Sequence, residues 1–418
     1  MFSFSACNEE TDENPPRIFT ISPFENETFQ ATDTIEAIAT VTDDRQIEYV
    51  DLEILDLDFN QVSVKERYTV SGSNVEFARL FPIGNSDLPT GDYYLAFRAS
   101  DGENVGSGFV KIRINGVPRE LEGVYVLTVQ GNITRVHYRE ADEFEFDEEF
   151  SIASDAIGAA LNYRKNILAI AGGDIGDAVF LETEEYSIVN SLPGFGTPDL
   201  PFFTSLSFNR EDDVFYLSQR DGTMRIFDEL GSSLVGFNGL DNHLILSMFG
   251  SGFDVYACEK QLAGPIHSLT RYTETGLLIN VYPVAGEVLG VFEKSTNEEF
   301  VWIDNPEGLE LRILNENSEL LSLPYERPNT RLHGVIRISG NAFVINSEDG
   351  LLRYNYSNGG TVILDADAPE GELYFDDLNE LIYLVQENQF SIYSIDGSQV
   401  GSASFNAPIL YIGFDYNR

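Results

Sequence analysis

Residues 206–227 read LSFNREDDVFYLSQRDGTMRIF, and this stretch decides the fold because it holds three short apolar runs divided by turns. Residues 206–208 and 214–217 are rich in aromatic and aliphatic side chains, as is typical of strands buried on both faces. Residues 223–227 alternate between apolar and polar, which indicates a strand with one solvated face. The intervening Arg220-Asp221-Gly222 predicts a hairpin turn, because glycine readily adopts the positive φ that tight turns require.

The opening run of this stretch recurs seven times along the chain. The first residues of the seven openings are Leu161, Leu206, Leu246, Leu289, Val335, Leu373 and Leu410. They are spaced 45, 40, 43, 46, 38 and 37 residues apart. This spacing is typical of a four-stranded propeller blade rather than of a helical repeat.

The seventh opening indicates how the ring of blades closes. It covers residues 410–417, and no second strand follows it in the sequence. Residues 124–127, 133–138 and 144–146 read as three strands that lack a first one. Pairing the last strand with these three makes one composite blade and leaves no free edge at the hub. We therefore expect residues 119–418 to form a seven-bladed β-propeller closed by the C-terminal strand.

A second all-β domain is expected ahead of the ring, over residues 17–116. Its predicted strands are residues 18–21, 35–41, 49–55, 62–69, 75–81, 93–99 and 109–114. Seven short strands in this length resemble an immunoglobulin-like sandwich, and residues 88–94 resemble the tyrosine corner of such domains. Because no cysteine pair crosses these strands, the resemblance is to the fibronectin-like and cadherin-like members. It implies that the hydroxyl of a corner tyrosine bonds nearby backbone.

The composition narrows the range of partners. Aspartate and glutamate number 69 against 25 lysines and arginines, which gives a net charge of −44. A surface this negative repels phosphate backbones, so nucleic acid is not expected as a partner, and anionic lipid exerts no electrostatic attraction. We interpret the acidity as a means of solvation, with specific cation binding as the alternative. The sequence also contains no apolar helical stretch of the length that crosses a bilayer.

The two cysteines lie in different settings. Cys258 ends an apolar strand and is interpreted as a small buried hydrophobe. Phe4-Ser-Ala-Cys7 resembles the lipobox of bacterial lipoproteins, in which the cysteine is acylated. Residues 8–14 carry four carboxylates, which predicts a flexible tether. They also look like the acidic export signal of surface lipoproteins of the Bacteroidota.

The lipoprotein resemblance implies a location. Residues 1–16 would be the remnant of a signal peptide and an acidic tether. Cys7 would carry the lipid, and the protein would sit on the outer membrane and face the cell exterior. The alternative is an ordinary cysteine on a flexible tail.

The sequence lacks a Gly-x-Ser-x-Gly elbow, a phosphate loop and a His-Glu-x-x-His helix, so we expect no enzymatic activity and no cofactor. Calcium is the first candidate ion, because two acidic loops could share an end of the first domain as in cadherin-like proteins. The candidate ligands are Asp43, Asp44, Asp101 and Glu103. His243 and His333 near the hub are a second candidate metal pair, although such residues usually serve packing or the surface.

Loops between blades supply the candidate binding residues. They are Phe195, Phe202, Phe203 and Tyr325. Aromatic side chains on a rigid scaffold suit protein partners or sugar rings, and packing over the blade edge is the alternative. We predict a non-enzymatic, lipid-anchored interaction module, an accessory subunit of an outer-membrane assembly or transport complex. A glycan-binding surface lipoprotein, or a propeller hydrolase or lyase with titratable groups at one channel mouth, remain as alternatives.

Overall fold

The computed structural model describes residues 14–57, 59–85, 88–143, 145–195, 201–210, 212–251, 254–295, 297–315 and 320–417. These residues form β-strands, turns and a short 3-10 helix at Tyr163–Lys165. The chain divides into two compact units, one reaching Arg119 and the other spanning Glu120–Asn417. Within the described residues, no helix has the length and apolar character needed to cross a membrane.

The first unit contains six described strands. They are β1 (Arg17–Ser22), β2 (Glu27–Gln30), β3 (Thr34–Leu55), β4 (Glu66–Pro82), β5 (Gly91–Ser100) and β6 (Val105–Asn115). Their order is β1-β3-β5-β6-β2, with β4 paired to β3. The long strand β3 pairs with β1 through its first half and with β5 through its second half. This exchange of partners wraps the strands around an apolar core that includes Val41, Val50, Phe77, Phe97 and Ile112.

The strand count of the first unit differs from the sequence prediction. The predicted strands 35–41 and 49–55 are both parts of β3, and the predicted strands 62–69 and 75–81 both fall on β4, which begins at Glu66. Strand β2 was not predicted. The pairing of β3 with β4 shifts register between Thr42 and Tyr49. The polar residues 43–46 contain neither glycine nor proline, so nothing in them forces a turn. The expected tyrosine contact is confirmed, because the Tyr93 hydroxyl donates to the carbonyl of Pro89 at 2.8 Å.

The second unit is made of seven four-stranded sheets in a propeller-like arrangement. It begins with β7 (Leu121–Gln130), β8 (Ile133–Glu140) and β9 (Asp147–Ile152). Sheets one and two follow as β10 (Gly158–Asn162), β11 (Ile167–Ala171), β12 (Ala178–Glu182), β13 (Ile188–Leu192), β14 (Phe203–Asn209), β15 (Val214–Gln219), β16 (Thr223–Phe227) and β17 (Ser233–Asn238). Sheets three and four are β18 (His243–Ser251), β19 (Asp254–Gln261), β20 (His267–Thr273), β21 (Leu278–Val284), β22 (Glu287–Ser295), β23 (Glu298–Asn305), β24 (Gly308–Asn315) and β25 (Leu320–Pro328). Sheets five and six are β26 (Leu332–Ser339), β27 (Ala342–Ser347), β28 (Gly350–Asn355), β29 (Gly360–Asp365), β30 (Glu372–Asp376), β31 (Leu381–Gln386), β32 (Gln389–Ser394) and β33 (Gln399–Ser404).

The seventh sheet joins the two ends of this unit. Its strands run in the order β34 (Ile409–Tyr416), β7, β8 and β9, and Ile412 stands opposite Val126 in the antiparallel register. The predicted pairing of the last strand with three strands at the start of this unit is therefore confirmed, but the third of them is β9 at residues 147–152 rather than the predicted 144–146. The first strands of neighbouring sheets contact one another in turn, and β34 contacts both β10 and β30. We call β10, β14, β18, β22, β26, β30 and β34 the hub strands, and their contacts form a closed ring.

Apolar side chains fill the spaces between neighbouring sheets. Phe180, Phe215 and Phe227 pack together between sheets one and two, and the buried Trp302 lies with Phe343 between sheets four and five. Cys258 is fully buried in the same way, as predicted, and burial raises the pKa of its thiol to about 12. Each sheet thus needs its neighbours to bury its faces, which makes the ring one cooperative structure.

Candidate functional site

Three phenylalanines step from the core of the ring unit to its surface. Phe203 is completely buried between sheets one and two, Phe202 is half-buried, and Phe195 is 77% exposed. The rings of Phe202 and Phe203 meet edge to face at 4.9 Å, and those of Phe195 and Phe202 at 6.2 Å. Such edge-to-face pairs stabilise a fixed geometry beyond their buried area. The exposed ring of Phe195 therefore packs on the half-buried ring of Phe202, which in turn packs on Phe203 in the core, and we call the three the aromatic step.

Backbone hydrogen bonds hold both ends of the loop that carries the aromatic step. The amide of Phe202 donates to the carbonyl of Gly173 at 3.1 Å, and its carbonyl accepts from Arg220 at 2.8 Å. At the other end, the Gly194 amide donates to the Asp177 carboxylate at 3.1 Å. Residues 196–200 lie outside the described part of the chain. The loop ends are thus tied to the turn between β11 and β12, which positions Phe195 on a rigid support.

Phe203 and Tyr325 do not lie on loops, contrary to the prediction. Phe203 begins β14, and the alternation of side chains at a strand start sends its ring inward while that of Phe202 stays half-buried. Tyr325 lies in β25, where its ring centroid is 4.3 Å from that of Tyr354. Both rings contribute to apolar clusters, so substituting either one would disturb packing as well as any surface contact.

The four acidic candidates of the first unit do come close together, around Arg45. The amide of Arg45 donates to Asp43 at 2.8 Å, and its guanidinium lies 2.7 Å from Glu103. Burial raises the pKa of the Asp43 carboxyl, and the nearby carboxylates of Asp44 and Asp101 add to the rise. Across the described residues, however, no three or more Asp, Glu, His or Cys side chains are grouped so that they could hold a metal ion.

The two hub histidines are engaged separately. The Nδ1 atom of His243 lies 2.9 Å from the carbonyl of Asp241, and the Nε2 atom of His333 lies 3.5 Å from the Glu370 carboxylate. They do not share a site. Cys7, the predicted point of lipid attachment, lies outside the described residues.

A cavity of about 790 Å³ opens where four hub strands end. We call it the hub cavity, and its lining residues are Arg210, Phe292, Glu293, Lys294, Val335, Ile336, Arg337, Ile338, Ser339, Gly340, Phe375 and Asp377. They come from the ends of β14, β22, β26 and β30 and from the turns that follow, so four different sheets contribute. This volume is in the range of sites that hold small molecules.

One side of the hub cavity is tied across the ring. The guanidinium of Arg210, after β14, lies 3.0 Å from the Asp377 carboxylate, after β30. The Tyr416 hydroxyl donates to Asp376 at 2.8 Å, which links sheet seven to sheet six. Arg210 also lies over the ring of Tyr163, 5.2 Å from its centroid. These contacts join sheets one, two, six and seven, whereas most of the lining residues belong to sheets four and five.

The hub cavity was not predicted from the sequence. Arg210 and Asp377 are 167 residues apart, and only the closed ring brings them together. Basic residues do occur near several openings, at Arg164, Arg210, Lys294 and Arg337, but at different positions of the repeat, so the sequence held no clear signal for the cavity.

Comparisons with known proteins support the fold. No known protein family matches the chain, and no curated protein matches it in sequence. The solved structure of a quinoprotein alcohol dehydrogenase-like protein from Bacteroides thetaiotaomicron is similar, with a TM-score of 0.51 at 11% identity, over 94% of this chain and 97% of that one. A functionally unknown protein from Desulfotomaculum acetoxidans is similar over 69% of this chain and 98% of its own, with a TM-score of 0.51 at 13% identity. At these identities the likeness concerns the fold alone.

Proposed function

We propose that this chain is a non-enzymatic protein-interaction module and that Phe195 is the centre of its binding surface. The observation that carries the proposal is the aromatic step, in which the 77% exposed ring of Phe195 packs on the half-buried Phe202, and Phe202 packs on the core residue Phe203. Binding energy at protein interfaces concentrates in a few such aromatic anchors. A rigid anchor also loses little conformational entropy when a partner binds.

The proposal includes the architecture and location that the sequence suggests. The first unit serves as an immunoglobulin-like spacer, and the second is a seven-bladed propeller that presents the binding surface. A lipid on Cys7 holds the protein on the outer face of the outer membrane. Support for this part comes from the lipobox-like Phe4-Ser-Ala-Cys7 and from the four carboxylates in residues 8–14.

The partner proposed is a subunit of an outer-membrane assembly or transport complex, to which this protein is an accessory. The strong negative charge favours a partner surface with basic residues around an apolar pocket, because complementary charge speeds association and suppresses wrong partners. The pocket would receive the ring of Phe195. Membrane anchoring would confine both proteins to the same surface, so that a modest affinity suffices.

The test replaces Phe195 with serine and measures the affinity of the purified protein for the membrane partner identified with the parent protein. We expect the Kd to rise at least about thirtyfold, the effect of a loss of about 2 kcal/mol at a binding hot spot. The melting temperature should stay unchanged because Phe195 is exposed. Phe203 is unsuitable for this purpose, since its ring is buried.

A matched control is Val400→Ser, because Val400 is 58% exposed on β33, in another sheet. Equal binding by the parent protein and Phe195→Ser would contradict the assignment of the surface. A requirement for a titratable group with turnover of a substrate would contradict the non-enzymatic role.

Glycan binding is the second candidate, and one observation favours it. Phe59 is 55% exposed with a φ of 65°, a conformation that costs a bulky residue about 1 to 2 kcal/mol. Its ring stacks on Tyr94 at 5.2 Å and meets Phe109 edge to face at 5.5 Å. Exposed aromatic faces suit sugar rings, so a glycan array probed with the parent protein, Phe195→Ser and Phe59→Ser separates the two functions. Glycan binding that only Phe59→Ser abolishes would favour the second candidate.

A further inference from the structure

The hub cavity reverses the charge balance of the rest of the chain. Its lining contains the cations Arg210, Lys294 and Arg337 against the carboxylates of Glu293 and Asp377. The whole chain has only 25 basic residues against 69 acidic ones. A local excess of cations is therefore a specific feature of this place.

Arg337 contributes the most available positive charge in the cavity. Its Nε and Nη2 groups donate to the carbonyl of Gly340 in the turn after β26, at 3.0 and 2.7 Å. Within the described residues it has no carboxylate partner. The turn thus fixes the guanidinium plane and leaves its Nη1 group to bind another acceptor. Arginine presents its donors in a planar fork that matches a carboxylate.

The other two cations are partly neutralised by neighbours. Lys294 pairs with Glu298 four residues later, and the Lys294 side chain is 20% exposed. Arg210 pairs with Asp377 at 3.0 Å, with both side chains about two-fifths exposed. An ion pair as exposed as that of Arg210 and Asp377 contributes little free energy of stabilisation. Arg210 can therefore turn part of its hydrogen bonding from Asp377 to a bound anion.

Apart from Ser339 and Gly340, the remaining residues that line the hub cavity are apolar. Phe292 and Val335 extend from the cluster between sheets four and five, and Ile336, Ile338 and Phe375 extend from the next cluster. All five are half-buried, so part of each side chain faces the cavity. Apolar area that a ligand covers contributes roughly 25 cal/mol per Å². The cavity therefore offers an apolar floor beside a cationic rim.

We propose that the hub cavity binds a small organic acid with an apolar body, such as a medium-chain carboxylic acid. The carboxylate bonds to Arg337 and lies near Lys294, and the apolar body covers the floor formed by Phe292, Ile338 and Phe375. A cation with the same apolar body is repelled by the rim. Salt at physiological concentration screens the field of the acidic surface beyond about 8 Å. The direct contacts in the cavity therefore decide whether a ligand of negative or positive charge binds.

Isothermal titration of the full chain with decanoate tests the proposal. We expect saturable binding with one site, and a Kd that rises at least tenfold in Arg337→Gln and further when Lys294→Gln is added. Acetate, which lacks the apolar body, and decyltrimethylammonium, which has the opposite charge, should not compete. Arg79→Gln is the matched control, because the Arg79 guanidinium also bonds a backbone carbonyl, that of Ala78, but lies in the first unit.

Several outcomes would overturn the proposal. They are the absence of saturable decanoate binding, equal binding by Arg337→Gln and the parent protein, or competition by the cationic amphiphile. The melting curve of Arg337→Gln shows whether that variant is folded. If it is unfolded, Arg337→Lys replaces it in the test, because lysine keeps the positive charge but lacks the planar fork that binds a carboxylate. Partner binding through Phe195 is measured separately, so failure here leaves the interaction role standing.

Discussion

Glu299 shows how a single buried side chain can set the pH response of the ring. It lies in β23 with 9% of its surface exposed, and the Ser251 hydroxyl donates to it at 2.9 Å. Burial raises the pKa of the Glu299 carboxyl to about 7, although the bond from Ser251 opposes the rise. A carboxyl with a raised pKa binds its proton more tightly in the folded state than in the unfolded chain.

The consequence for stability follows from proton linkage. Between pH 4.5, the ordinary value, and pH 7, the unfolded chain releases the Glu299 proton while the folded protein keeps it. The contribution of Glu299 therefore makes the free energy of unfolding fall as the pH rises through this window. We predict that Glu299→Gln removes this fall and is more stable than the parent protein at pH 8 by about 1 to 3 kcal/mol.

Urea unfolding at pH 5 and pH 8 measures the difference between the variant and the parent. Glu307→Gln is the control, because Glu307 is an exposed turn residue and should show no such difference. A Glu299→Gln variant with the same stability relative to the parent at both pH values would contradict the prediction.

Single residues also mark the limit of what the sequence could predict about the site. Phe195 was found because aromatic residues beside prolines and glycines indicate an exposed loop. Phe203 was assigned to the same loop wrongly, since the local pattern does not reveal where β14 begins. The hub cavity was missed because residues distant in sequence meet there only after the ring closes.

At the scale of elements, the repeated hub strands were predictable and the irregular strands were not. In every sheet except the composite seventh, the hub strand is followed in the sequence by a strongly apolar strand, and the two strands pair in the structure. By contrast, β2 has the polar sequence Glu-Thr-Phe-Gln and pairs in parallel with β6. Its conformation depends on that neighbour more than on its own residues.

The last strand is the element on which closure of the ring depends. Ile412 and Tyr416 of β34 are buried, and β34 is the hub strand that covers the edge of β7. We predict that deleting residues 409–418 exposes the apolar edge of β7 and removes the cooperative unfolding transition of the second unit. Differential scanning calorimetry measures this loss, and size-exclusion chromatography reports the expected aggregation.

Adding the missing strand back provides the control. A synthetic peptide of residues 409–418 should restore a cooperative transition when mixed with the shortened protein, because it can pair with the free edge of β7. The same peptide with Ile412→Asp should fail, since it would bury a charge opposite Val126. A shortened protein that melts like the full chain would show that closure does not need β34.

At the scale of the whole molecule, the net charge of −44 and the N-terminal cysteine define the proposed surface role. The negative charge keeps copies of the protein apart and leaves them soluble at high local density. It supplies no attraction to anionic lipid, so a protein held at a membrane would depend on a covalent lipid or on a partner.

The proposed lipid on Cys7 can be tested by substitution. In a gene that carries a full export signal, Cys7→Ser should lose the lipid and move from the membrane fraction to the soluble fraction, because the lipid is the proposed hold on the bilayer. Metabolic labelling with a fatty-acid analogue and fractionation measure the two effects. Cys258→Ser is the control for labelling, because Cys258 is buried and should not react.

A second variant separates anchoring from surface exposure. It changes the four carboxylates of the tether, Glu9, Glu10, Asp12 and Glu13, to alanine. The lipid should remain, but protease added to intact cells should no longer cut the protein. Unchanged protease access would rule out the acidic residues as an export signal.

The composite seventh sheet also sets the order in which the protein can be made. A chain that leaves the ribosome N-terminus first releases β7, β8 and β9 early, and these strands wait for their partner until β34 has been synthesised. Such a long separation in sequence slows folding and extends the time during which apolar strands are exposed. The described strands of the first unit all precede Arg119, so that unit can fold while the remainder is still being translated. Biosynthesis therefore yields a finished first unit attached to an unfinished ring, a state whose exposed apolar strands a chaperone would bind.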